Sequence, residues 1–174
     1  EDAGRFDLVV CCGGDGTLNE MVSGMMQRQD RRPMGYIPLG STNDLAVSLR
    51  LPTRVEEAAL RAVTGNEFHM DVGTLNDRYC NYIAAFGAFT ETSYATPQEI
   101  KNALGHLAYI LEGVKSLGKI LPIHVKITAD DEQFEEDYLF GAVTNTISLG
   151  GVLKLDPEKV LLDDGMYELL LVKN

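Results

Sequence analysis

Residues 6–12, Phe-Asp-Leu-Val-Val-Cys-Cys, read as a buried strand and run directly into Gly13-Gly14-Asp15-Gly16-Thr17. Glycine in a turn costs conformational entropy and is usual where the backbone takes positive φ or lies close against something. That something is either a phosphate group or another strand. Behind the turn, Leu18, Met21, Val22 and Met25 recur at helical spacing and predict an amphipathic helix over about 17–28. Backbone N–H groups converge where a strand hands over to a helix, and the helix dipole favours an anion there. Asp15 would repel a bare phosphate, so the pattern points to a nucleotide with Mg²⁺ between phosphate and carboxylate. No Gly-Lys-Ser/Thr follows, so this is not a P-loop, and Asn19 stands where a dinucleotide fingerprint needs its third glycine. As local structure alone, the same residues make a strand-to-helix turn with Thr17 near the cap.

A second such turn follows. Residues 34–40 (MGYIPLG) predict a short strand, and Ser41-Thr42-Asn43-Asp44 opens a helix over 41–49. Adjacent parallel strands place such turns side by side at their carboxyl edge, where open α/β sheets bind ligands. Ser41 and Thr42 could donate to phosphates and Asp44 could join Asp15 at a metal, although capping alone also explains these residue types. Thr53-Arg54-Val55-Glu56 reads as a capping box for a helix that ends at Gly65. Strand and helix alternate to this point, which predicts a parallel sheet with helices packed on it.

From residue 66 the pattern turns to β. FHMDVGTLN and RYCNYIAAFG alternate across Asn76-Asp77 as a hairpin, with Asp71 on the first strand facing away from Met70 and Val72. Thr96-Pro97-Gln98-Glu99 is a second capping box, and Leu107, Ile110, Leu111 and Val114 form a helical stripe stopped at Gly118. Residues 121–128 alternate and pair with a strand near 134–140; residues 144–157, around Gly150-Gly151, read as a polar glycine loop. The chain closes on two apolar arms around Asp163-Asp164-Gly165, a tight hairpin turn. The shift near 65–67 divides the chain into 1–65 and 66–174.

Charge and cysteine content narrow the partners. The net charge of −11 argues against nucleic acid, which needs clustered Lys and Arg. The acid excess lies mostly beyond residue 65, in runs such as Asp130-Asp131-Glu132 and Glu135-Glu136-Asp137 that read as a solvated hairpin. Three cysteines without metal spacing point to a reducing compartment; Cys11, Cys12 and Cys80 read as small core residues. His69, His106 and His124 are scattered without ligand spacing. No apolar run reaches the ~18 residues of a spanning helix, so a soluble cytoplasmic protein is expected. The opening runs almost at once into a strand, which implies upstream sequence.

GGDGTLNEMVSGM followed by PLGSTNDLA resembles the diacylglycerol kinase catalytic domain, and more narrowly the soluble bacterial lipid kinases related to sphingosine kinase. NAD kinase and phosphofructokinase are more distant relatives. FHMDVGTLN is similar to the opening of the family's second domain, and LLDDGMYELLLVK to a late β-hairpin. The resemblance implies a partial N-terminal α/β domain of phosphofructokinase and NAD kinase type over 1–65. A mostly antiparallel β-sandwich domain with inserted helices over 66–174 would follow it, with ATP in the cleft between them.

By this resemblance Gly13, Gly14, Asp15, Gly16, Thr17, Leu18 and Asn19 form the nucleotide loop. Ser41, where the family commonly has threonine, is the hydroxyl near the ATP phosphates. Asp15, Asp44 and Asp71 match acids of an Mg²⁺–water network, and Leu161, Asp164 and Met166 match a structural Mg²⁺ loop. The family's early ATP-contacting loop and its late catalytic acid are not in this sequence, so it reads as a kinase truncated at both ends. The general base is expected outside it, and the fragment is expected to be inactive. The implied activity is Mg²⁺-dependent transfer of the ATP γ-phosphoryl to a lipid hydroxyl by a cytoplasmic enzyme in peripheral contact with membrane. A homodimer is left open. The competing readings are an NAD kinase-like phosphotransferase, a non-catalytic nucleotide- or lipid-binding module, and a purely structural protein.

Overall fold

The computed structural model describes residues 5–87, 121–151 and 153–173. They fall into two compact units, one of residues up to Tyr82 with Asn145–Met166, the other of Ile83–Thr144 with residues from Tyr167 onward. The compositional shift at 65–67 lies inside the first unit.

In the first unit, β1 (Val9–Gly13) pairs in parallel with β2 (Met34–Pro38), from Val9 opposite Met34 to Gly13 opposite Pro38. The crossover is helix α1 (Asp15–Met26), which buries Leu18, Val22 and Met25. Leu18 and Val22 meet Cys11, Tyr36, Leu45 and Ala46 in one apolar core, with Met21, Met26 and Met34 packed on it. Helix α2 (Asp44–Ser48) supplies Leu45 and Ala46. Helix α3 (Val55–Thr64) lies on β2, where Gly35 leaves room for Ala62: a Cβ on Gly35 would stand 2.8 Å from the Ala62 methyl. The predicted hairpin forms as β3 (Gly73–Leu75) and β4 (Arg78–Cys80), with Asn76 left-handed in its turn.

Several local expectations are corrected here. Helix α1 starts at Asp15, two residues before the expected start, with Gly14 extended as its N-cap; Asp-Gly-Thr is the helix's first turn and Gly14 makes no side-chain cap bond. The Thr53–Glu56 capping box does not form: Arg54 is the N-cap without a side-chain cap bond, and it pairs with Glu57 at 3.2 Å. The helix does end at Gly65, which is extended, and the nearby Arg61 carbonyl leaves no room for a Cβ. Asp71 does not lie on a paired strand; its N–H donates instead to the Leu162 carbonyl at 2.8 Å. Cys12 is exposed, because only Cys11 faces the core side of β1.

The 144–157 stretch is also more ordered than a loop. It forms β8 (Ser148–Leu149) and β9 (Leu153–Lys154), with Gly150 and Gly151 left-handed between them. The residues before Asp163-Asp164-Gly165 form no strand, since Val160 and Leu162 are buried in the first unit.

The second unit is antiparallel. Strand β7 (Glu132–Thr144) pairs along its first half with β6 (Ile123–Ala129), joined through left-handed Asp130. Its second half lies between β5 (Ile83–Gly87) and β10 (Glu168–Lys173), and there Tyr138, Leu139, Phe140 and Ala142 are buried. Gly141 lies opposite Phe86, whose ring covers the space a side chain would fill. Gly141→Ala is expected to cost about 1–3 kcal/mol through this overlap, read as a lower urea midpoint. The capping box at 96–99 and the stripe 107–118 lie outside the described residues.

The acidic hairpin is solvated as expected. His124 Nδ1 lies 2.8 Å from Asp137 and Nε2 3.6 Å from Glu135, and its pKa is raised first by the Asp137 hydrogen bond, then by Glu135. Pairing favours the imidazolium, so its small stabilisation is complete below the ordinary histidine value and fades as pH rises through the raised one. NMR titration should place His124 above about 6.5, and Asp137→Asn should return it toward that value.

Candidate functional site

The two turns meet through glycine. Leu39 N–H donates to the Gly13 carbonyl at 2.8 Å, tying the end of β2 to the end of β1. A Cβ on Gly40 would stand 2.5 Å from the Gly14 Cα, and one on Gly13 would stand 2.7 Å from the Thr17 Cβ. For Gly13, Gly14 and Gly40, then, the close neighbour is the chain itself.

Gly16 differs. It is exposed, has no positive φ, and a Cβ there would meet nothing within 4 Å. Glycine in a helix costs about 1 kcal/mol relative to alanine, and no contact of the fold demands it here. The first hydrogen bond of α1 runs from Leu18 N–H to the Gly14 carbonyl at 3.0 Å, so the amides of Asp15, Gly16 and Thr17 precede the helix ladder. An exposed glycine beside open amides at a helix N-terminus is what close approach by an anion requires.

The second turn is locked by Asn43, which is left-handed at φ 54°. Its Oδ1 accepts from Gly40 N–H and its Nδ2 donates to the Gly40 carbonyl, both at 2.8 Å. Tyr36 Oη donates to the same Oδ1 at 3.3 Å. Burial, followed by the charge of Asp15, raises the Tyr36 pKa. Ser41 is exposed on this framework.

The acids are placed differently from one another. Asp15 is half-buried, and its Oδ1 accepts a long 3.3 Å bond from Leu45 N–H. Asp44 is 3% exposed, and its carboxylate accepts from Ser148 Oγ at 2.6 Å, Gly150 N–H at 2.7 Å and Gly151 N–H at 2.9 Å. Burial pushes the Asp44 pKa up; those hydrogen bonds oppose the rise and the charge of Asp15 adds to it. Asp71 Oδ2 accepts from Gly165 N–H at 2.6 Å, and Asp71 therefore belongs with the 162–166 turn. Asp164 accepts from Met166 N–H at 3.0 Å, closing its own turn, with Leu161 and Met166 exposed beside it. Asp15 and Asp44 are thus neighbours. Among the described residues no three His, Cys, Asp or Glu side chains converge as a metal-holding group.

A groove of about 580 Å³ opens at Gly16 and follows the polar face of α1 past Asn19, Ser23 and Gly24, with Arg78 and Tyr79 opposite. A Cβ on Gly24 would also meet nothing within 4 Å. Sequence reading reached Gly16 and Asn19 but missed the rest. The available signal was Gly24, off the apolar stripe of the predicted helix, eight residues after Gly16 in the turn before it. Asn19 Oδ1 accepts from Asn81 N–H at 3.3 Å, which joins α1 to the segment after β4.

Comparison with known proteins fits this arrangement. A model of the diacylglycerol kinase catalytic domain family matches residues 1–75. The chain is 39% identical over 170 residues to the diacylglycerol kinase of Bacillus subtilis strain 168, covering 97% of this chain and 56% of that protein. The chain is related to the diacylglycerol kinases. It is also 36% identical over 169 residues to the diacylglycerol kinase of Staphylococcus saprophyticus, covering 97% of this chain and 55% of that protein. The chain therefore spans about half the length of these relatives. The crystal structure of a diacylglycerol kinase from Bacillus anthracis str. Sterne superposes with a TM-score of 0.74 at 29% identity, covering 99% of this chain and 56% of that one. A second structure from the same organism gives 0.80 at 30% identity, covering 99% and 57%. The fold class is shared with these structures, α/β in the N-terminal part and β-rich beyond it. No helix among the described residues is long and apolar enough to cross a membrane.

Proposed function

We propose that the intact protein is a lipid kinase that transfers the γ-phosphoryl of ATP to the hydroxyl of diacylglycerol or a related lipid. The observation that carries this is Gly16, an exposed helical glycine that the fold does not require, at the head of a groove and beside unladdered amides. Residues 13–19 form the nucleotide turn. The amides of Asp15, Gly16 and Thr17 donate to phosphate oxygens, and the missing Cβ of Gly16 lets the phosphate approach. Ser41 donates from the second turn. The groove along α1 is of the size that holds a small-molecule ligand, and it offers the nucleoside a polar wall.

Mg²⁺ is commonly held by one or two carboxylates together with substrate phosphates and water. Asp15 fits, since its Oδ2 has no partner among the described residues and its Oδ1 makes only the long bond to Leu45. Bound there, Mg²⁺ would offset phosphate charge as it accumulates. By family likeness Asp71 joins the same water network, and Leu161, Asp164 and Met166 hold a second, structural ion. The chain's own contribution is alignment: the two glycine-crossed turns fix the direction from which phosphate meets an acceptor hydroxyl. The enzyme is proposed to be cytoplasmic, reaching its lipid by peripheral contact with the membrane.

Isothermal titration tests the nucleotide turn. ATP should bind the intact protein, bind more tightly with Mg²⁺, and lose that increment in Asp15→Ala. Equal affinity with and without Mg²⁺ in the wild type would contradict the assignment of Asp15.

A further inference from the structure

We propose that Asp44 is a positioning residue that sets the Ser41–Thr42 turn by gripping the 148–151 turn, and that it is not a cation ligand. This rests on reading the Ser41–Thr42 turn as phosphate-facing. Successive backbone N–H groups in a turn make a concavity that binds anions. Gly150 and Gly151, at φ 62° and 70°, make such a concavity, and the anion in it is the Asp44 carboxylate. Ser148 Oγ adds a third donor at 2.6 Å.

A carboxylate offers about four acceptor positions. Three are filled from within the chain, and the burial of Asp44 closes the fourth to a hydrated ion. The grip is reinforced from α2. Ser48 Oγ donates to the Asp44 carbonyl at 2.9 Å and accepts from Ile147 N–H at 3.1 Å. Thr146 Oγ1 donates to the Ser148 carbonyl at 3.1 Å.

The clasp reaches the second turn through Gly151, where a Cβ would stand 2.9 Å from the Thr42 methyl. Gly151 thus backs Thr42 by direct contact, and Asp44 holds Gly151 in place. A glycine pair that looks like loop filler, more than a hundred residues from Asp44, becomes part of the site's frame.

The test compares ATP binding to the intact protein with and without Mg²⁺ in Asp44→Asn, Ser148→Ala and Gly151→Ala. Gly151→Ala disturbs the clasp without removing a carboxylate, and Ser148→Ala covers the case in which Asp44→Asn does not fold. All three are expected to weaken ATP binding about tenfold, equally in Mg²⁺ and in chelator, leaving the ratio of the two affinities within about twofold of wild type. Amide exchange at Gly150 and Gly151 should speed up about tenfold or more in Asp44→Asn and Ser148→Ala. A ratio that collapses toward one in Asp44→Asn but not in Ser148→Ala would overturn the proposal by making Asp44 a metal ligand. Unchanged exchange at both glycines would overturn the clasp itself. A wild-type protein that binds no ATP would overturn the nucleotide reading, and this proposal with it.

Discussion

Asp15→Ala is expected to lower phosphoryl transfer by roughly 10²–10³-fold or more while the protein stays folded. Both halves of that result follow from the surroundings of Asp15. Among the described residues its internal hydrogen bond is the 3.3 Å one from Leu45 N–H, and the side chain is half-buried, so truncation removes little packing. A bond of that length to a partly hydrated group contributes on the order of 0.5–1 kcal/mol at most. Removing the carboxylate also relieves its repulsion of Asp44, which offsets part of that loss. Function has no such compensation, because the residue that would hold charge against the phosphates is gone. Turnover assays with the full-length variant, alongside its circular dichroism melt, separate the two effects. Near-normal turnover in a folded Asp15→Ala protein would remove Asp15 from the site.

The second large effect is a contrast between two glycines of the same site. Gly40→Ala is expected to destabilise the first unit by about 1–3 kcal/mol or more, because its Cβ would stand 2.5 Å from the Gly14 Cα and 2.7 Å from Asn43 Oδ1. Neither neighbour can move cheaply. Gly14 is backbone at the N-cap of α1, and Asn43 Oδ1 is already bonded to Gly40 N–H and Tyr36. Gly16→Ala is expected to do the opposite, raising stability by about 0.5–1 kcal/mol as a helical alanine replaces a glycine in open space. The same methyl would stand in the path of the phosphate, so affinity for Mg²⁺–ATP should fall about tenfold or more. Denaturant midpoints and nucleotide titrations on the two variants check this. A Gly16→Ala protein that is more stable and binds ATP as before would show that the glycine has no ligand role.

The same two glycines show how far the sequence could be read. The Leu18–Met25 stripe obeys a period that burial imposes, and its helix, the MGYIPLG strand and the alternating strand in 121–128 all appear in the structure. Gly40 and Gly16 look alike in sequence, although one lies against backbone and the other opens to solvent. That difference exists only once β1 and β2 are in register. Asp71 alternates correctly between Met70 and Val72, yet no strand lies beside it to complete a ladder, so alternation there misled. Thr53 and Glu56 have capping-box spacing, but α3 starts one residue later and Arg54 pairs with Glu57 instead. The hidden partner of Asp44 was the least legible feature, because nothing local marks Ser148, Gly150 and Gly151 as donors to a carboxylate so distant in the chain.

The most direct measurement incubates the intact protein with Mg²⁺ and γ-labelled ATP against micellar diacylglycerol, a sphingoid base, a polyprenol and phosphatidylglycerol, with NAD as the control acceptor. Label is expected in a lipid product and is expected to be lost in Asp15→Ala. Label appearing in NADP, or ATP binding with no transfer to any lipid, would contradict the lipid kinase reading.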